Sequence, residues 1–294
     1  MKYLKEAIPI EQQANLLIAR GLGGKRTEII SKLSNVGYYR LSGYWYPFRA
    51  SNNKIVPGTT IDTVWNRYTF DRELRLLILD GIGQIETMLR ASLVQYHAQE
   101  YGPFGYISNS TLPKMSDKWH GSMLTRMRIE IERSTELFVK HYRGKYQSED
   151  GLLPLWMMTE LMSFGTLLTL FRGCSGKLKK KIASKFNITD KVLESWIRSL
   201  NAARNICAHH SRIWNRELGY PPLIPHKDIR WHEPVEIKNN RVFSVLTIIK
   251  YFIDFIAPES TWANRFRKLL ASNPEIPKHS MGISSNWNDC PVWS

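Results

Sequence analysis

Ser199-Leu200-Asn201-Ala202-Ala203-Arg204-Asn205-Ile206-Cys207-Ala208-His209-His210-Ser211-Arg212-Ile213-Trp214-Asn215-Arg216 is the stretch the rest of the chain is built to hold. Upstream, Thr189 or Asp190 can serve as N-cap, and Leu193, Trp196, Ile197, Leu200, Ala203 and Cys207 follow at spacings of three and four. That pattern predicts one continuous helix with a buried face, running on through Arg204, Asn205, His209 and His210. Polar side chains close to such a face cost free energy unless they are paired. The crowding of these four therefore has two readings: they satisfy one another in a core, or they line a cleft.

Working outward, the strongest periodicity lies between Asp71 and about Tyr101, where Leu74, Leu77, Ile78, Ile82, Ile85, Leu89, Leu93 and Tyr96 predict an amphipathic helix of roughly eight turns. It carries Glu86, Arg90 and His97. Glu86 and Arg90 form an i,i+4 pair, and Arg90 and His97, seven apart, share a face. Two short helices are expected near Ile10–Arg20 and Thr27–Leu33, split by Gly21-Leu22-Gly23-Gly24. The cluster Tyr38, Tyr39, Tyr44, Trp45, Tyr46 and Phe48 has two uses, a small core or a stacking surface for bases. Asn52-Asn53-Lys54 and Pro57-Gly58 signal turns, and a charged helix is expected from about Gly121 to Tyr142. Pro154 can open the next helix, and Val242–Ile256 and Thr261–Leu270 read as the last two. The tail from Asn273 reads as a docked irregular strand. The expectation is an all-α chain in three parts: an N-terminal helical extension at 1–60, a helical domain at 61–272, and a tail at 273–294.

Hydrophobic residues make up 43% of the 294, enough for a globular core. Lysine and arginine number 41 against 26 acids, a formal charge of +15 that favours a polyanionic partner such as RNA, DNA or an anionic surface. No apolar run reaches the ~20 residues of a membrane span, and Met1-Lys2-Tyr3-Leu4-Lys5-Glu6 lacks the apolar core of a leader, so a cytoplasmic protein with no membrane partner is expected. Cys174, Cys207 and Cys290 lie too far apart in sequence to suggest a disulfide framework or a structural zinc site. Lys177, Lys179, Lys180, Lys181 and Lys185 precede the Arg204 helix, and Arg212 and Arg216 follow it; this basic run is either a solvated face or a set of phosphate contacts. Gly219–His226, rich in proline, is expected to wrap the rim of the site.

Cutting RNA without a metal needs a group that titrates near neutrality to move the 2′-hydroxyl proton, and a fixed cation on the phosphate; histidine and arginine are the side chains suited to those tasks. His209 and Arg204 form a minimal set, with Asn205 and His210 beside them. Adjacent helical histidines point about 100° apart, which disfavours His209 and His210 as a zinc pair. No cofactor or metal is expected.

Arg204-Asn205-x-x-x-His209 resembles the R-x(4–6)-H signature of HEPN ribonucleases. The longer string Arg204-Asn205-Ile206-Cys207-Ala208-His209-His210-Ser211-Arg212-Ile213-Trp214-Asn215-Arg216, with Gly37-Tyr38-Tyr39-Arg40-Leu41-Ser42-Gly43-Tyr44-Trp45 and Glu160-Leu161-Met162-Ser163-Phe164-Gly165, resembles the Abi-like (AbiD/AbiF) abortive-infection family. The resemblance implies a HEPN-like helical bundle and a metal-independent endoribonuclease used against bacteriophage, working as a homodimer and restrained by an antitoxin or a non-coding RNA. Arg90 and His97 fit the looser spacing as a second motif. The alternative is a non-catalytic RNA-binding regulator that holds a structured non-coding RNA.

Overall fold

The computed structural model describes residues 6–146 and 150–294, so Met1–Lys5 of the leader reading lies outside the described residues. The chain is all-α; among the described residues the only β pairing is two isolated bridges, Gly23 with Thr60 and Arg49 with Ile55. It divides into two compact units, Met1–Leu76 with Phe266–Pro277, and Leu77–Arg265 with Lys278–Ser294.

The first unit contains α1 (Ile10–Ala19), α2 (Arg26–Val36), α3 (Tyr38–Trp45) and the opening of α4 (Ile61–Leu93). Periodicity places the start of α4 near Asp71, yet it begins ten residues earlier, because Thr60 Oγ1 accepts from the Thr63 N–H at 3.2 Å and caps it there. The early turns of α4 bury Val64, Phe70 and Leu74 with Ile29, Leu33 and Leu41, which commits them to the N-terminal unit and puts the division at Leu76 rather than near residue 60. The aromatic cluster splits between its two readings. Tyr44 and Trp45 are core, whereas Tyr39 and Tyr46 are exposed. The Tyr44 hydroxyl donates to Asp71 Oδ2 at 2.7 Å, and the Arg75 guanidinium pairs with the same buried carboxylate, giving the charge the partners it needs so far from water. Burial first, and the Asp71 charge second, raise the Tyr44 hydroxyl pKa above its ordinary value.

The second unit continues α4 through a π-helical turn at Val94–Ala98 into the short α5 (Gln99–Tyr101). There follow α6 (Asp117–Arg133), α7 (Leu137–Lys145), α8 (Leu155–Leu161), α9 (Phe164–Gly173), α10 (Gly176–Ser184), α11 (Asp190–Ala208), α12 (Val242–Ile256) and the start of α13 (Trp262–Ala271). The single helix expected over 121–142 is two, broken where Ser134 Oγ accepts from the Glu136 N–H at 3.3 Å. Every residue from Val242 to Ile253 is buried, Ser244, Thr247 and Lys250 included, so α12 is enclosed on all sides within this unit. The approach of α12 to α4 is set by Gly81, where a Cβ would lie 2.3 Å from Ile249 Cγ2. The tail docks as 3₁₀ turns rather than as a strand: Trp293 stacks on Phe243 and its Nε1 donates to Thr247 Oγ1 at 3.0 Å.

Helix α11 packs against α9, α10 and α12. Trp196, fully buried, anchors it, with ring centroids 5.1 Å from Trp231, 5.3 Å from Tyr251 and 5.4 Å from Phe252, and with Nε1 donating to Leu223 O at 2.7 Å.

Candidate active site on helix α11

Thr189 caps α11, its Oγ1 accepting from the Val192 N–H at 3.3 Å, and Asp190 sits favourably in the first turn. The helix does not run through the histidines. It ends at Ala208, with His209 as C-cap (φ −86°, ψ 12°) and His210 in the left-handed region (φ 56°). The His210 N–H donates to Cys207 O at 3.0 Å and the Ser211 N–H to Ile206 O at 2.9 Å. That is the double bond pattern of a Schellman cap, whose left-handed position usually carries glycine; a histidine there holds backbone strain at the site. The reversal buries Ile213 and Trp214 and leaves His209 and His210 exposed.

Of the two readings of the polar cluster, the core is therefore excluded for the histidines. Asn205 is exposed as well and shares a stripe with His209, four residues on. Arg204 leaves the helix about 140° away from His209. Its Nη1 nevertheless donates to Asn205 Oδ1 at 3.4 Å, a long bond that draws the guanidinium toward the exposed stripe.

The Arg90/His97 motif is placed differently. Arg90 Nε donates to Thr159 O at 2.8 Å, and Nη2 to Met162 O at 2.9 Å and to Glu86 Oε1 at 2.6 Å, so the guanidinium caps the last carbonyls of α8. The chain then turns at Ser163, which caps α9 by accepting from the Thr166 N–H at 3.2 Å. Gly165 lies against α11, where a Cβ would meet Asn201 Oδ1 at 3.8 Å. The Glu160–Gly165 stretch thus connects Arg90 to α11 one turn before Arg204.

His97 is fully buried in the π-helical turn, its ring 4.9 Å from that of Tyr101, with neither ring nitrogen hydrogen-bonded. It faces no cleft. Burial lowers its pKa from the ordinary 6.5, the nearby Glu100 opposing this only in part. Between the lowered folded value and 6.5 the unfolded chain binds the extra proton, so the stability contributed by neutral His97 is complete above pH 6.5 and declines as pH falls below it. The expected slope approaches about 1.4 kcal/mol per pH unit for one proton. Urea melts between pH 5 and 8 should show it, and His97→Leu should flatten it.

A family model described as Abi-like protein matches residues 31–215. The chain belongs to the Abi-like family. The matched region takes in Gly37–Trp45, the turn at Ser163 and the whole of Arg204–His210, and membership suggests a role in abortive infection. Neither the curated proteins nor the solved structures contain a match to the chain.

In this Abi-like protein the lysine run divides three ways. Lys179 is buried and its Nζ lies 2.7 Å from Glu194, which also accepts from Arg172 at 3.2 Å; this ion pair removes Lys179 from the phosphate-contact reading. Lys181 and Lys185 lie over the Tyr96 ring at 4.4 Å and 4.7 Å. Lys177, Lys180 and, past the helix, Arg216 are exposed, while Arg212 is half-buried.

A cleft of about 930 Å³, which sequence reasoning missed, opens beside the first half of α11. Its lining includes Lys114, Trp119, Lys191, Arg198 and Tyr220, residues brought together from α6, α11 and the loops before and after them. Of the Gly219–His226 segment, expected at the rim of the Arg204 site, Gly219, Tyr220 and Pro221 line this cleft instead, and the Leu223 N–H donates to Ser195 Oγ at 2.9 Å. Among the described residues no three of His, Cys, Asp and Glu group as a metal site would require, and no helix is long and apolar enough to cross a membrane.

Proposed function

We propose that this Abi-like protein is a HEPN-type endoribonuclease of an abortive-infection or toxin–antitoxin system. The observation that carries the reading is the end of α11, where an exposed His209 and the Arg204 guanidinium drawn over by Asn205 border the same solvent-facing stripe. His209 takes the proton of the RNA 2′-hydroxyl as that oxygen attacks the adjacent phosphorus. Arg204 neutralises the charge gathering on the phosphoryl oxygens, its fork matching two of them. The bond from phosphorus to the 5′-oxygen breaks as the 2′-oxygen bonds, and the leaving oxygen takes a proton from water, giving a 2′,3′-cyclic phosphate and a 5′-hydroxyl end. His210, held in its strained turn, fixes the direction in which His209 is presented.

The 140° between Arg204 and His209 leaves one helix short of a converged site, so the working unit is a two-fold dimer in which the arginine of one subunit meets the histidine of the other. Within the chain, Arg90 and His97 supply no such partner, one being engaged by carbonyls and the other buried. An antitoxin or a regulatory non-coding RNA restrains the enzyme until infection.

Mass spectrometry of the cleavage products tests the chemistry. Cyclic phosphate and 5′-hydroxyl ends, formed at an unchanged rate in excess chelator, are expected; activity lost in chelator and restored by magnesium or manganese would overturn the mechanism.

A further inference from the structure

We infer that the cleft beside the first half of α11 is a binding groove for single-stranded RNA, which holds the strand at a distance from the cut and stacks its bases on Trp119 and Tyr220. The inference rests on the ribonuclease reading only for the nature of the strand. Five tryptophans of this unit, Trp196, Trp214, Trp231, Trp262 and Trp293, are fully buried, whereas Trp119 is 61% exposed at the wall of the cleft. Tyr220 is 49% exposed on the same lining, and the Arg198 guanidinium lies 4.3 Å from its ring centroid. Exposed rings on one lining, one of them beside a cation, suit a nucleobase, because every base offers a face to stack on.

The charge agrees with that ligand. Five bases and two acids line the cleft, and one of the acids, Glu194, is engaged by Arg172 and Lys179. Lys114, Lys191 and Arg198 remain to face a phosphate backbone.

Helix geometry separates a strand from a single nucleotide. On α11, Lys191, Arg198, Asn205 and His209 fall within about 40° of one another around the axis, and Arg198 lies about 16 Å before His209 along it. Cleft and catalytic end therefore belong to one continuous exposed stripe. A strand following it would rest its bases in the cleft while the phosphate to be cut lies at His209, a few nucleotides away. The cleft would then set where the enzyme cuts relative to a single-stranded segment.

The test is fluorescence anisotropy of the full-length protein with a labelled 2′-O-methyl oligonucleotide, which lacks the attacking hydroxyl and cannot be cleaved. Trp119→Ala and Tyr220→Ala should each weaken binding by about 5- to 150-fold, as loss of one stacked base does, while Lys177→Gln with Lys180→Gln changes it far less. Unchanged binding in both aromatic variants, with circular dichroism and melting temperature like those of the wild type, would overturn the inference. Adenosine monophosphate binding as tightly as the oligonucleotide would also overturn it, in favour of a mononucleotide pocket. Oligonucleotide held through Trp119 by a protein that cuts no RNA would sustain the groove and sink the ribonuclease. Cleavage by a wild type whose aromatic variants bind normally would do the reverse.

Discussion

His209→Ala is expected to lower RNA cleavage by about 10²- to 10⁴-fold, the loss that removal of a general acid–base group brings, without lowering stability. Its side chain is exposed at the end of α11, so truncation leaves no cavity. Arg204→Ala should be similarly inactive, because the phosphoryl charge then develops with no fixed cation beside it. Asn205→Ala should fall between the wild type and these, since the bond it removes, at 3.4 Å, is weak and only directs the guanidinium. The decisive measurement mixes the two inactive proteins. Where the site is shared across a dimer, an Arg204→Ala subunit still offers its histidine to the arginine of a His209→Ala subunit, so the heterodimer keeps one intact site of two and part of the activity returns. Absence of return from a mixture shown by native mass spectrometry to contain heterodimers would sink the intersubunit site.

The helices were legible where a single physical cause acts over a short stretch. Val242–Ile256 is so largely apolar that its helix has the bounds the sequence predicts, and Thr189 caps α11 as its side chain allows. Legibility fails where the cause lies elsewhere in the chain. A Schellman cap usually announces itself through glycine, and with histidine at the left-handed position nothing in the local sequence marks the end of α11. The lysine run looks uniform in sequence, yet Lys179 differs from Lys180 because Glu194, fifteen residues on, claims it. The cleft has no local signature, since Trp119, Arg198 and Tyr220 come to line it only after α6 and α11 have each packed against α9. Arg204, Asn205 and His209 could be picked out because their chemistry is concentrated within six residues, while their orientation depended on how the helix stops.

Arg90→Ala is expected to destabilise the protein by about 3–5 kcal/mol, the cost of breaking a largely buried ion pair. Its removal leaves the Glu86 carboxylate, only 13% exposed, without its cation. It also strands the carbonyl of Met162 and leaves that of Thr159 only the Met162 N–H at 3.3 Å, at the end of α8 in a part of the core where neither residue meets water. The turn that Arg90 secures presents Gly165 to Asn201, so α11 loses part of its support one turn before Arg204. Urea denaturation followed by circular dichroism would measure the loss. Replacing both partners, Glu86→Leu with Arg90→Met, should cost less than Arg90→Ala alone, because no carboxylate is then left buried and unpaired. Cleavage per folded molecule of Arg90→Ala, measured well below its melting temperature, should stay near that of the wild type. A variant as stable as the wild type but unable to cut RNA would instead move Arg90 into the site and place the chemistry within one chain.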